Sequence, residues 1–210
     1  MNLPVRPRCP VCKLLDPGCV CSRFDRVRTD TRVVIIQHAR ERKSQSNTGS
    51  LAHHVLLDSV LFIHGAPERR LDALLFDEPA LDYRLLFPLP GAEVIGPSPA
   101  PRAGKRLALL VLDGTWAQAR RMSYKISGLR RLPCLQLPPG ASPRIRMRKP
   151  HEAGRLGTAE AVALALELLG EWEEAQVLRE AVSVQASSAL RARGKLPRPG
   201  SFSYNPARFS

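Results

Sequence analysis

Leu107-Ala108-Leu109-Leu110-Val111-Leu112, followed at once by Asp113-Gly114-Thr115-Trp116, is the stretch whose reading decides the fold. A short apolar run that stops abruptly on an acid and a glycine describes a strand buried on both faces. Runs of the same kind stand on either side. Residues 31–37 (Thr-Arg-Val-Val-Ile-Ile-Gln) form a β-branched strand bounded by Asp30 and a polar stretch from His38 onward. Residues 60–64 and 85–87 are shorter apolar runs, 93–95 is a short strand inside a Pro/Gly-punctuated loop, and 134–137 is a further strand. Helical patterns lie between and after them, at 51–57, 117–124, 158–169 and 171–193. The third is apolar almost all round, and the last carries acids early and arginines late, in accord with the helix dipole. Strands alternating with helices predict an α/β fold, a mostly parallel sheet with helices on both faces.

The chain has 210 residues, 44% of them apolar, enough for one core with a small appended module. Its 32 Lys and Arg against 19 Asp and Glu give a formal charge of +13, which attracts polyanions through counterion release. Nucleic acid is the leading partner, with a basic surface kept for solubility as the alternative. No apolar run reaches the roughly 20 residues that cross a bilayer, and residues 1–8 lack the apolar segment of a secretory signal. A cytoplasmic location, without membrane attachment, is expected.

Residues 1–30 are rich in Cys, Pro and Arg and too poor in apolar residues to build a core unaided. Cys9 and Cys12 are two residues apart, and Cys19 and Cys21 follow closely. Two close pairs of thiolates make a tetrahedral structural site that zinc accepts, leaving no position for water. An iron–sulfur cluster or free thiols would use the same residues. Cys134, alone in an apolar context, reads as a core residue, and His53 and His54 as structural residues of a helix. Residues 1–30 are thus a zinc-binding segment, 31–194 a catalytic domain, and the basic, Pro/Gly-bearing 195–210 a tail.

Asp113 emerges where a buried strand leaves the sheet, the edge at which open α/β sheets bind ligands. A carboxylate there can act as a general base, and Trp116 offers a flat face to an adenine or a flipped base. An acid capping the next helix, with the tryptophan in the core, is the alternative. Basic residues collect in three places: Arg40, Arg42 and Lys43; Arg120, Arg121 and Lys125; and Arg144, Arg146, Arg148 and Lys149. The alternation of Arg144, Arg146 and Arg148 would put all three on one face of an extended segment, where phosphates could be tracked. A solvated edge strand is the alternative. His38, beside the first cluster, could contact RNA or pack.

Asp113-Gly114-Thr115-Trp116 with Ala117-Gln118-Ala119-Arg120-Arg121-Met122 resembles the signature of the DTW-domain family. The cysteine set, the segment from His38 to Gly49 with Asn47-Thr48-Gly49, and Leu86-Phe87-Pro88 fall in the family's order. Thr158-Ala159-Glu160-Ala161 is similar to the family's Thr-x-Glu-Ala stretch, although Gly157 stands where serine is expected. The resemblance covers residues 9–170. It implies a tRNA-uridine aminocarboxypropyltransferase that uses S-adenosylmethionine, with a fold similar to the SPOUT methyltransferases and their C-terminal knot. It further implies that Leu86, Phe87, Pro88, Leu112, Gly114, Thr115, Trp116, Leu156 and Thr158 hold the cofactor and that Asp113 is catalytic. His38, Arg40, Lys43, Asn47, Thr48, Arg120, Arg144, Arg146 and Arg148 would then meet tRNA. Rival readings are a SPOUT-type RNA methyltransferase and a zinc-bearing RNA-binding protein without catalysis.

Overall fold

The structure is a computed structural model and describes residues 7–65, 76–96, 101–102, 104–140 and 156–193. Six strands, β1 (Arg32–His38), β2 (Val60–His64), β3 (Leu81–Leu86), β4 (Glu93–Val94), β5 (Arg106–Asp113) and β6 (Cys134–Gln136), form one sheet in the order β2-β1-β5-β3-β6-β4. Every pairing is parallel, as the continuous apolar runs predict. β5 lies between β1 and β3, and all its residues after Arg106 are buried.

The helices are α1 (Gly49–Val55), α2 (Trp116–Lys125), α3 (Thr158–Leu168) and α4 (Trp172–Ala192). Val33, Ile35, Leu109 and Val111 face a core shared with α1, α3 and α4. Val34, Ile36, Leu110 and Leu112 face the opposite core, closed by Ala119 and Met122 of α2 and by Leu129 of the turn after it. The expected two-sided α/β architecture is present. Cys12, Leu14, Val20 and Phe24 pack into the first of these cores. The cysteine segment therefore adds to the main core through apolar residues close to the thiols.

β3 starts at Leu81, four residues before the apolar run at 85–87 that marks it in the sequence. Asp82 and Arg84 interrupt the pattern, but they neutralise each other at 2.9 Å, and Asp82 is buried in the pair. α1 starts at Gly49 and ends at Val55, where 51–57 is expected from the sequence. Residues 141–155 lie outside the described residues, as does the tail at 195–210.

Candidate active site

Because the sheet is wholly parallel, the carboxyl ends of β1, β5, β3 and β6 share one edge, and the polar residues that end these strands meet there. Asp113, the last residue of β5, is 3% exposed. Its Oδ2 accepts hydrogen bonds from Gln37 Nε2 at 2.7 Å and Asn47 Nδ2 at 2.5 Å, and its Oδ1 accepts one from Thr158 Oγ1 at 2.6 Å. One carboxylate thus joins the end of β1, the loop before α1 and the start of α3. Gln37 also donates to Asn47 Oδ1 at 3.1 Å. Lys13 is buried nearby: burial lowers its pKa, and the negative charges of Asp113 and Cys9 oppose that shift.

Asn47, Thr48 and Gly49 each serve this junction. Asn47 donates to Asp113. Thr48 Oγ1 accepts the Ala159 N–H at 3.1 Å, capping α3 from outside because its own N-cap, Gly157, has no side chain. Glu160 completes that end by accepting the Gly157 N–H at 2.9 Å. A Cβ on Gly49 would collide with the Asp113 carboxylate, reaching Oδ2 and standing 2.6 Å from Cγ. Asn47 and Thr48, expected at an RNA surface, are instead buried, at 2% and 6% exposure, with their side chains turned to protein partners. Thr48→Val should keep the shape and remove the cap, costing about 1–2 kcal/mol. A thermal unfolding midpoint lowered by about 2–4 °C per kcal/mol checks it, with Thr48→Ser restoring wild-type behaviour.

Beside this junction lies an open cavity of about 270 Å³. Eight of the nine positions expected to hold the cofactor line it: Leu86, Phe87, Pro88, Leu112, Gly114, Trp116, Leu156 and Thr158. Thr115 does not. Its hydroxyl accepts the Gln118 N–H and the Gln118 side chain accepts the Thr115 N–H, at 3.2 and 2.7 Å, a capping box that starts α2. Phe87 and Trp116 stand with ring centres 5.3 Å apart and planes tilted by 38°. The sequence reading missed Gln136, Leu137, Pro138 and Gly140, the segment leaving β6, which forms another wall. Only their place after a strand end marked them. Asp113 does not line the cavity, and with both oxygens engaged by internal donors it has the surroundings of a positioning group rather than of a general base.

The four N-terminal cysteine sulfurs lie within 4.8 Å of one another, with Cys9 and Cys21 at 3.5 Å and Cys12 and Cys19 at 3.8 Å. Four sulfurs bonded tetrahedrally at about 2.3 Å stand about 3.8 Å apart, so the set can hold a thiophilic ion such as zinc. Burial would raise the Cys9 thiol, but backbone donors at Cys12 and Val11 and the thiols of Cys21 and Cys19 outweigh it and bring it down to about 7. Burial pushes Cys12 and Cys21 up. The cluster is tied to the site from two sides. Lys13 Nζ donates to the carbonyls of Pro10 at 2.5 Å and Arg42 at 3.1 Å. Gln185 of α4 donates to the carbonyls of Cys12 at 3.0 Å and Asn47 at 3.4 Å. Neither residue was singled out in the sequence, although a lysine directly after Cys12 and a glutamine in a largely apolar helix face were visible.

Of the residues expected to meet RNA, Arg40 and Lys43 are exposed on the turn after β1, and Arg120 is exposed on α2. His38 ends β1, its Nδ1 accepting the Arg40 N–H at 3.2 Å, with the His64 ring 6.4 Å away. Burial, then the neighbouring His38, lowers the His64 pKa. Arg144, Arg146 and Arg148 lie outside the described residues. Among the described residues no helix is long and apolar enough to cross a membrane. The family model described as the DTW domain matches residues 6–190, most of the chain. No solved structure matches.

Proposed function

We propose a transfer reaction for this chain, which belongs to the DTW-domain family of tRNA-modifying enzymes: the 3-amino-3-carboxypropyl group of S-adenosylmethionine passes to N3 of a uridine in tRNA as its bond to sulfur breaks, methylthioadenosine leaves and the N3 proton passes to water. The observation that carries the reading is the convergence of eight family-implied positions on one cavity at the carboxyl edge of a parallel sheet. The lining suits a nucleoside cofactor, since apolar and aromatic walls with few polar groups are what such pockets present. When bound, the cofactor supplies a sulfonium that activates three carbons, and its orientation decides which one reacts.

Orientation is the work of this chain's residues. Phe87 and Trp116 offer aromatic faces, Leu86, Leu112 and Leu156 keep water from the apolar wall, and the segment leaving β6 closes another side. The uridine N3 edge is occupied in any base pair, so the target must be unpaired or extruded when it reaches the cavity mouth. Asp113, in this reading, acts from behind the cavity. It holds Thr158 and the Asn47 loop in register, so the first turn of α3 keeps its place in the wall. Cys9, Cys12, Cys19 and Cys21 hold a structural zinc that fastens residues 39–48 from outside. A cytoplasmic location, whose reducing conditions keep cysteines available as metal ligands, belongs to the same reading. The SPOUT-like arrangement with its knot and the division into a zinc segment, a catalytic domain and a tail belong to the same reading.

The test is incubation of bulk tRNA with cofactor labelled either in the carboxypropyl carbons or in the methyl group. Label from the carboxypropyl carbons should enter the RNA. Methyl label in the RNA would make the protein a methyltransferase, and neither label, with RNA still bound, a non-catalytic binder.

A further inference from the structure

α2 buries Ala119, Met122 and Ser123 and turns Trp116, Arg120, Arg121, Tyr124 and Lys125 outward. Trp116, Arg120 and Tyr124 are spaced four apart, so they run along one face of the helix, covering about 12 Å from the cavity mouth toward its far end. Tyr124 is 49% exposed, and its hydroxyl and ring have no partner among the described residues. A single exposed aromatic needs no explanation. This one continues a row that begins with a cavity-lining tryptophan and has an arginine between the two rings. The charge around the row is one-sided: from Gly114 to His151 the sequence contains no Asp or Glu, and Arg130 and Arg131 follow on the exposed turn after α2.

Cations alone suit any polyanion, duplex or single strand. Flat aromatic faces between them select unpaired nucleotides, whose bases are free to stack. We propose that the outer face of α2 is a binding track for unpaired RNA next to the target nucleotide, with Tyr124 as a stacking platform for a flanking base and Arg120 as the phosphate contact between it and the cavity. The proposal rests on the reading of RNA as substrate and adds to it where the strand leaves the site and which residue recognises it as single-stranded. The track commits the enzyme to a target within a loop or other unpaired segment, because a paired flanking base could not reach Tyr124.

The experiment measures binding of a fluorescently labelled short oligouridine, and of an RNA duplex of the same length, to the full metal-loaded chain without cofactor, across a salt series. Tyr124→Ala and Tyr124→Leu should weaken oligouridine binding by about 5- to 150-fold, leave duplex binding unchanged and keep the salt slope, since stacking releases no counterions. Tyr124→Phe, which keeps the flat face, should bind as wild type. Arg120→Ala should lower the slope of log affinity against log salt by about 0.7 for the oligouridine. Melting of Tyr124→Leu at the wild-type temperature excludes misfolding as the cause. Wild-type oligouridine affinity in the Ala and Leu variants would overturn the proposal, as would equal losses for strand and duplex, or a loss in Tyr124→Phe as large as in Tyr124→Ala. No group is transferred in this assay, so a wrong assignment of the transferred group leaves its result untouched. Unchanged binding in the variants removes the track and leaves the transfer reaction standing.

Discussion

Asp113→Ala should destabilise the protein by about 2–4 kcal/mol and abolish transfer, because it leaves the Asn47 amide and the Thr158 hydroxyl without the acceptor that holds them. Asp113→Asn separates this positioning role from a role as general base. The new side chain keeps one carbonyl oxygen for Gln37 and Asn47 and turns its amide toward Thr158, whose hydroxyl can rotate to accept. The expected result is a melting temperature close to wild type and a transfer rate within about tenfold of it. General-base catalysis contributes about 10²–10⁴-fold, so a well-folded Asp113→Asn protein slower by more than a hundredfold would return Asp113 to proton transfer. Single-turnover transfer with saturating cofactor and tRNA, measured beside thermal unfolding, provides both readouts. Gly49→Ala approaches the same carboxylate from the other side. It should resemble Asp113→Ala in activity, since the added Cβ must displace the carboxylate from its three donors.

Removal of the metal should have the second large effect, and it should reach the cavity although no cysteine lines it. About one equivalent of zinc is expected in the purified protein. Its chelation, or the Cys9→Ser, Cys12→Ser double substitution, should lower the unfolding midpoint by more than about 5 °C and reduce transfer strongly. The route is structural. Without the ion the turn that presents Lys13 to the Arg42 carbonyl and the Cys12 carbonyl to Gln185 loses its fixed shape, and residues 39–48 lose their outer support. Metal analysis, calorimetry and a transfer assay on one sample check the three parts. A metal-free protein that melts and transfers as wild type would make the cysteines incidental, and visible absorption with iron content would make the site a cluster.

Much of this architecture was legible because its signals are local. An apolar run such as 107–112 declares a buried parallel strand by composition, and the spacing of two cysteine pairs marks a cluster that could hold a metal ion. The cavity wall was legible for a different reason: Leu86 to Pro88, Leu112 to Trp116 and Leu156 to Thr158 sit in motifs whose order resembled a family. The functions of polar side chains at the junction were not legible. Asn47 and Thr48 look like surface residues within a charged stretch, and only the approach of residues 66 and 111 positions away buries them. Gln37 ends an apolar strand, which reads as a boundary until the acid on the neighbouring strand gives its amide a partner. The charged residues inside β3 concealed its first half for the same reason, since a buried pair such as Asp82 and Arg84 has the sequence pattern of solvent.

The reading of the reaction depends on which group leaves the sulfonium, and nucleoside analysis of the RNA product decides that most directly. Bulk tRNA incubated with the protein and S-adenosylmethionine should yield a uridine heavier by one aminocarboxypropyl substituent at N3, with methylthioadenosine released in equal amount. A nucleoside heavier by one methyl group, with S-adenosylhomocysteine as the second product, would contradict it.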